Sequence, residues 1–182
     1  MKHIYTFLCL LLLSGVGQVG AFSEADLEKL KSTNECNKCD FSGANLGGAR
    51  LRGANLAEAN LTNAYLTGAN LYKAHLEVVN LTGANLTGAN LIDAYMEDTN
   101  LQEASLAGVD QTKAYLEATD LTGANLTMAN LTGTVLEGTN LENADLTDAV
   151  LTDAKLIWVK NLNKAILCRT TMPDGTVNNS GC

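Results

Sequence analysis

Residues 39–66 read CDFSGANLGGARLRGANLAEANLTNAYL, and the same five-residue phrase runs on without a gap to residue 158. The phrase is Ala, then Asn or Asp, then Leu, then two small or polar residues. Ala44-Asn45-Leu46, Ala54-Asn55-Leu56, Ala84-Asn85-Leu86 and Ala124-Asn125-Leu126 are clean copies. Stepping by five from Phe41 to Leu156 gives 24 central positions, of which only Phe41, Met96 and Gln111 are not Leu. Two places earlier stands Ala in most copies, with Cys39, Val79, Thr99, Val109, Thr119, Thr134 and Thr139 as small substitutes. An apolar pair every five residues would wander around a helix, and strict strand alternation would break at each copy. A fixed short period instead marks a solenoid, whose units bury their apolar side only against neighbours.

Leu needs an interior, and Ala fits where the wall is too close for anything larger. The two inward residues flank one outward residue, as in a very short strand. The remaining two turn the corner, which suits Gly68, Gly83, Gly88 and Gly123. Four such sides close a coil of about 20 residues, and coils stacked at roughly 4.8 Å make six layers about 29 Å long. On these residues the chain resembles the pentapeptide-repeat family, A(N/D)LXX, over about two thirds of its length. The resemblance implies an all-β fold, a right-handed quadrilateral β-helix. It also implies two partners known in the family: gyrase, bound by members that mimic DNA, and a second copy of the chain, joined through the C-terminal end.

Four segments follow. Residues 1–21 read as an export signal: Lys2 and His3, an apolar run from Ile4 to Leu13, then Val19-Gly20-Ala21 for cleavage after Ala21. The run is too short for a comfortable membrane span, so the expected location is periplasmic or secreted. Residues 22–38 hold an amphipathic helix, from Phe22 to Asn34, and Cys36-Asn37-Lys38-Cys39 begins directly after it. Ser23 is its expected N-cap, and Leu27 and Leu30 share the face that covers the first coil. Residues 39–158 are the β-helix. Residues 159–182 are a C-terminal cap, in which Met172-Pro173-Asp174-Gly175 has β-turn chemistry and the remainder reads as loop. The repeat frame slips by one residue after Leu156, around Ile157-Trp158-Val159, and Trp158 reads as a plug over the last regular coil.

Once Cys9 is removed with the signal, four cysteines remain and allow three pairings. The two ends of the stack are too far apart for a disulfide, so the expected pairs are Cys36–Cys39 and Cys168–Cys182. Other uses of the first pair lack context. A thioredoxin-like redox site needs a βαβ unit. Haem attachment needs His where Asp40 stands. Zinc needs two further ligands close in sequence. No cofactor is expected, and no catalytic set is visible: after the signal, His75 is the only histidine.

Sorting the outward residues in steps of 20 separates the faces. One reads Asp40, Asn60, Asn80, Asn100, Asp120, Asn140, an Asx ladder able to bond backbone and neighbours. Another reads Asn55, His75, Tyr95, Tyr115, Val135, Lys155, with Ala57, Glu77, Glu97, Glu117, Glu137 and Ile157 two residues further on. Tyr72 lies just around the corner. A row of glutamates at strand spacing is either a solvated acidic surface or a stripe for a basic protein surface, a peptide or a metal cation. The candidate binding face is therefore His75, Glu77, Tyr95, Glu97, Tyr115, Glu117 and Glu137. The repeat block carries fifteen acidic and five basic side chains, a net of −10. That charge disfavours nucleic acid and anionic membrane and permits a basic protein. Gln111, at an inward position, has to pair along the stack or mark a local defect.

Overall fold

Parallel backbone bridges join each outward residue to the one 20 positions later, from Glu35↔Asn55 to Asn140↔Lys160. The computed structural model describes residues 22–182, so the signal reading of residues 1–21 lies outside the described residues. Each side of a coil is a single bridged residue rather than a run of strand. Its bonds run both ways along the stack. Tyr65 N–H donates to Ala44 O at 2.9 Å in the coil before, and Leu66 N–H donates to Asn85 O at 2.7 Å in the coil after. Between sides, the residue two after each Leu adopts left-handed φ, and the next residue donates back to the Leu carbonyl, as Ala69 N–H does to Leu66 O at 2.9 Å. Gly takes that conformation without strain. Val78 (φ 60°) and Trp158 (φ 51°) take it against their preference.

The core is the double column the repeat predicts: Phe41, the leucines from Leu46 to Leu151 and Met96 are buried, with the alanines between them. The threonines in Ala positions keep their polarity satisfied. Thr99, Thr119, Thr134 and Thr139 are buried, and each hydroxyl donates to the carbonyl of the central residue of an earlier coil: Leu76, Met96, Gln111 and Leu116. Gln111 is different. Its Nε2 lies 3.8 Å from Met96 Sδ and its buried Oε1 has no partner. The two aliphatic breaks in the Leu column thus touch each other, and the amide is a defect rather than a link of a ladder.

Helix α1, Glu24–Thr33, covers the first coil. Ser23 caps it by accepting from Asp26 N–H at 3.2 Å, Leu30 is buried and Leu27 packs partly against the core. The bridged ladder starts at Glu35 and runs to Thr171, beyond the 39–158 boundaries on both sides. Cys36 falls where a central Leu would stand one unit before Phe41, which is why the coil begins earlier.

Three expectations about the C-terminal end need correction. Trp158 is no plug: it is 79% exposed, held outward at a left-handed corner. The extra residue enters after Lys160, where left-handed Asn161 leads into a 3-10 turn, Leu162–Lys164. Asp145 then pairs with Ile166 and Val150 with Thr171, one residue later than in preceding coils. The tail is not all loop. Strands β1, Thr170–Thr171, and β2, Val177–Asn178, pair antiparallel around the turn in which Gly175 N–H donates to Met172 O. The tail then crosses Leu167 at Gly181, where a Cβ would lie 2.6 Å from Leu167 N, so only Gly fits without a shift.

Two substitutions should move stability in opposite directions. Leu106 is fully buried, so Leu106→Ala should cost about 2–5 kcal/mol in a denaturant melt. Gln111→Leu removes the orphaned amide oxygen and should gain about 1–3 kcal/mol. A loss under ~0.5 kcal/mol for the first, or any loss for the second, would contradict this core.

Candidate functional site

Most outward positions are Asx, and the Asx side chain holds the next corner. Asn85 Oδ1 accepts from Thr87 N–H at 3.0 Å, and Asn100 Oδ1 from Gln102 N–H at 3.0 Å. On the first face they also link coils, as Asn60 Nδ2 donates to Asp40 Oδ1 at 3.1 Å. Asp120 shows the electrostatic result. Partial burial pushes its carboxyl up, but hydrogen bonds from Thr122, Gln102 and Asn140 outweigh this and hold it below the usual range.

The His/Tyr face gives those bonds up. It begins with a regular Asn55, which accepts from Ala57 N–H at 3.2 Å. His75, Tyr95 and Tyr115 then offer no such acceptor. Instead their rings stack: His75 on Tyr95 with centroids 4.9 Å apart, Tyr95 on Tyr115 at 5.3 Å, nearly parallel in both pairs. The bridges His75↔Tyr95 and Tyr95↔Tyr115 bring them together. Each stacked pair contributes about 0.5–1.5 kcal/mol, similar to the ~0.5–1.5 kcal/mol of each forgone hydrogen bond.

Beside the stack run the glutamates. His75 Nδ1 and Glu77 Oε1 are 3.0 Å apart. Oε2 of Glu77, Glu97 and Glu117 is shut off from solvent and accepts no hydrogen bond. Glu137 continues the column beside Val135 but has no such oxygen among the described residues, so the orphaned oxygens track the aromatic stack. Glu97, in the middle, has its carboxyl pushed up, first by desolvation and then by the charges of Glu117 and Glu77. Around the corner, the Arg52 guanidinium sits 4.2 Å from the Tyr72 ring centroid, with Lys73 Nζ at 5.3 Å. Sequence reading named the column but not the orphaned oxygens, which depend on how ring and carboxylate share the space between coils.

The cysteines lie at the two ends. Cys36 is bonded to Cys39 with a Cα–Cα distance of 5.4 Å, and Cys168 to Cys182 at 4.8 Å. Cys36 and Cys39 are buried. The second pair ties the tail to the last coil, beside Arg169, whose Nε and Nη2 each donate to Asp148 at 2.6 Å. That bidentate bond keeps the exposed Asp148 carboxyl below its usual range. Among the described residues, no helix is long and apolar enough to cross a membrane.

This repeat is a known one. The family model "Pentapeptide repeats (8 copies)" matches residues 39–77, 80–114, 99–138 and 129–160, and the chain belongs to the pentapeptide-repeat family. HetL, a pentapeptide repeat protein involved in heterocyst differentiation regulation in the cyanobacterium Nostoc, is 30% identical over 79% of this chain and 76% of its own, with a TM-score of 0.44. QnrB1, a plasmid-mediated fluoroquinolone resistance protein, is 22% identical over 69% of this chain and 78% of its own, with a TM-score of 0.54. A pentapeptide repeat protein of the Arabidopsis thaliana thylakoid lumen is 29% identical over 68% and 72%, with a TM-score of 0.34. No curated protein matches the chain. The likeness to QnrB1 shows the solenoid fold.

The raised Glu97 pKa makes a pH prediction. A carboxyl raised in the folded state stabilises the fold when protonated, and that contribution is lost as pH rises through the folded pKa. Glu97→Gln should therefore melt higher than the parent at pH 7, and the gap should shrink as the pH is lowered from 7 towards the ordinary carboxyl value of about 4.3. A gap constant across that range would mean that Glu97 titrates normally.

Proposed function

We propose that the chain is an exported, non-enzymatic pentapeptide-repeat rod that binds a basic protein surface through the face bearing His75, Tyr95, Tyr115 and the Glu77–Glu97–Glu117 row. Four bridged positions in each 20-residue coil support the quadrilateral form of the β-helix, and the family resemblance supports its right hand. One observation carries the binding reading. This face exchanges Asx backbone bonds for stacked rings and leaves three carboxylate oxygens without partners. A merely solvated surface has no use for either change. A partner's Lys or Arg side chains would neutralise the crowded carboxylates from the solvent side of the row, and the ring edges would give them a flat apolar border.

A pure test uses an oligolysine peptide and the intact rod. Binding should weaken with salt. Losing two exposed pairs, at ~0.2–1 kcal/mol each, in Glu97→Gln/Glu117→Gln should weaken it about two- to thirty-fold. Glu103→Gln/Asp153→Asn removes the same net charge elsewhere and should have the smaller effect. Equal losses in both variants would reduce this face to general acidity.

Export is supported by the basic start, the apolar run and the small residues ending at Ala21, and by two cysteine pairs suited to an oxidising compartment. The second reading, a DNA mimic acting on gyrase, draws on the −10 of the repeat block and requires retention in the cytoplasm. The intact mass of the protein from its host, fractionated by compartment, separates them. A chain starting at Phe22 outside the cytoplasm, with four cysteines protected until reduction, is expected. A cytoplasmic chain starting at Met1 with free thiols would overturn export. Turnover as a thiol-redox catalyst, which needs an accessible attacking thiolate, is disfavoured at Cys36 and Cys39 by their burial at 0% and 4% exposure.

A further inference from the structure

The CxxC pair lacks further ligands in the local sequence, but the fold supplies one. Helix α1 folds back over the first coil and brings Asp26 to the cysteines, so that one carboxylate oxygen of Asp26 and the sulfurs of Cys36 and Cys39 all lie within 4.8 Å of one another. The carboxylate is held in place: its Oδ2 accepts from Asp40 N–H at 2.9 Å. Its residue is anchored too, since Asp26 N–H donates to the Ser23 cap. Lys29 Nζ stands 4.0 Å from Cys39 Sγ. Both cysteines are buried and Asp26 is half-buried.

We infer that, when the Cys36–Cys39 bond is reduced, the two thiolates and the Asp26 carboxylate form a three-ligand site for a thiophilic divalent cation such as Zn²⁺. The Asp26 oxygen already lies close to both sulfurs, and reduction lets the sulfurs part to the span that metal–sulfur bonds of about 2.3 Å and metal–oxygen bonds of about 2.0–2.2 Å require. The Asp40 N–H then acts as the outer partner that orients the carboxylate. A fourth position remains for water. The redox step balances with a dithiol reductant. Two electrons and two protons pass to the two sulfurs, the dithiol closes to its own disulfide, and the incoming cation displaces the two thiol protons. The cation thus ties α1 to the first coil in the reduced state, whereas the disulfide links only two residues that follow the helix. This inference is independent of the binding-face reading.

The test uses the full chain with Cys9→Ser, Cys168→Ser and Cys182→Ser, which leaves Cys36 and Cys39 as the only thiols, and Co²⁺ as the probe. After reduction, one equivalent of Co²⁺ should give a thiolate-to-metal charge-transfer band with the visible bands of a tetrahedral site, and Zn²⁺ should remove both. Asp26→Asn should weaken Co²⁺ binding by about tenfold or more. Circular dichroism establishes that each variant keeps the repeat fold. No band in a reduced, folded chain would overturn the site, as would unchanged affinity in Asp26→Asn. Should the triple substitution unfold the chain, reduced wild-type protein is alkylated with and without Zn²⁺ and mapped by mass spectrometry. Protection at Cys36 and Cys39 but not at Cys168 and Cys182 supports the site, and equal labelling throughout overturns it.

Discussion

The bridge between a residue and the one 20 positions later is the constraint on which the rest depends. It turns one dimension of sequence into columns, because every side chain lies directly against its counterpart in the next coil. Like therefore stacks on like. For Leu and Ala this yields close packing, for Asn mutual hydrogen bonds, and for Tyr parallel rings. For Glu it yields repulsion between like charges in successive coils. A solenoid of this kind tolerates a charged column only where the surface offers compensation.

Seen in that light, the His75–Tyr95–Tyr115 column is informative because of what it replaces. Each Asx in the ladder ties its own corner to the backbone, and these three positions forgo that tie. Two stacked pairs restore part of the energy of the three forgone bonds, so the exchange is at best neutral for folding. The glutamates beside the rings gain nothing comparable. Their orphaned oxygens and the raised Glu97 pKa are the residue of an arrangement that folding alone does not favour. Structure that is neutral or costly to the fold, repeated over three coils in register, is what supports the proposed binding reading.

What could be read from the chain follows the same line. The coil, the inward columns, the Asx face and the His/Tyr/Glu face were all legible because each is a consequence of the period. The orphaned oxygens apart, the features that escape it are those where the period ends. Trp158 looked like a plug because large apolar residues usually cover a core, yet its place in the frame is the left-handed corner, which points outward whatever stands there. The period puts the slip at residues 157–159, but Asn161 accepts left-handed φ far more readily than its neighbours, and the backbone turns there. The proximity of Asp26 to the cysteines depends on the angle at which α1 leaves the first coil, and no repeat encodes that.

The ends also explain where the covalent bonds lie. An inner coil is bonded on both sides, whereas a terminal coil has one side without a ladder. It is therefore the part of the rod most ready to fray, and opening at one end is the route by which a one-dimensional stack unravels. Both cysteine pairs sit at these two edges and none lies between them. Cys36–Cys39 spans the corner of the first coil beneath α1, and Cys168–Cys182 ties the tail across the last. Each closes a loop of its own end and leaves the interior to the leucine column. A disulfide in the middle would have constrained coils that their neighbours already hold. At the edges it substitutes for the neighbour that is missing.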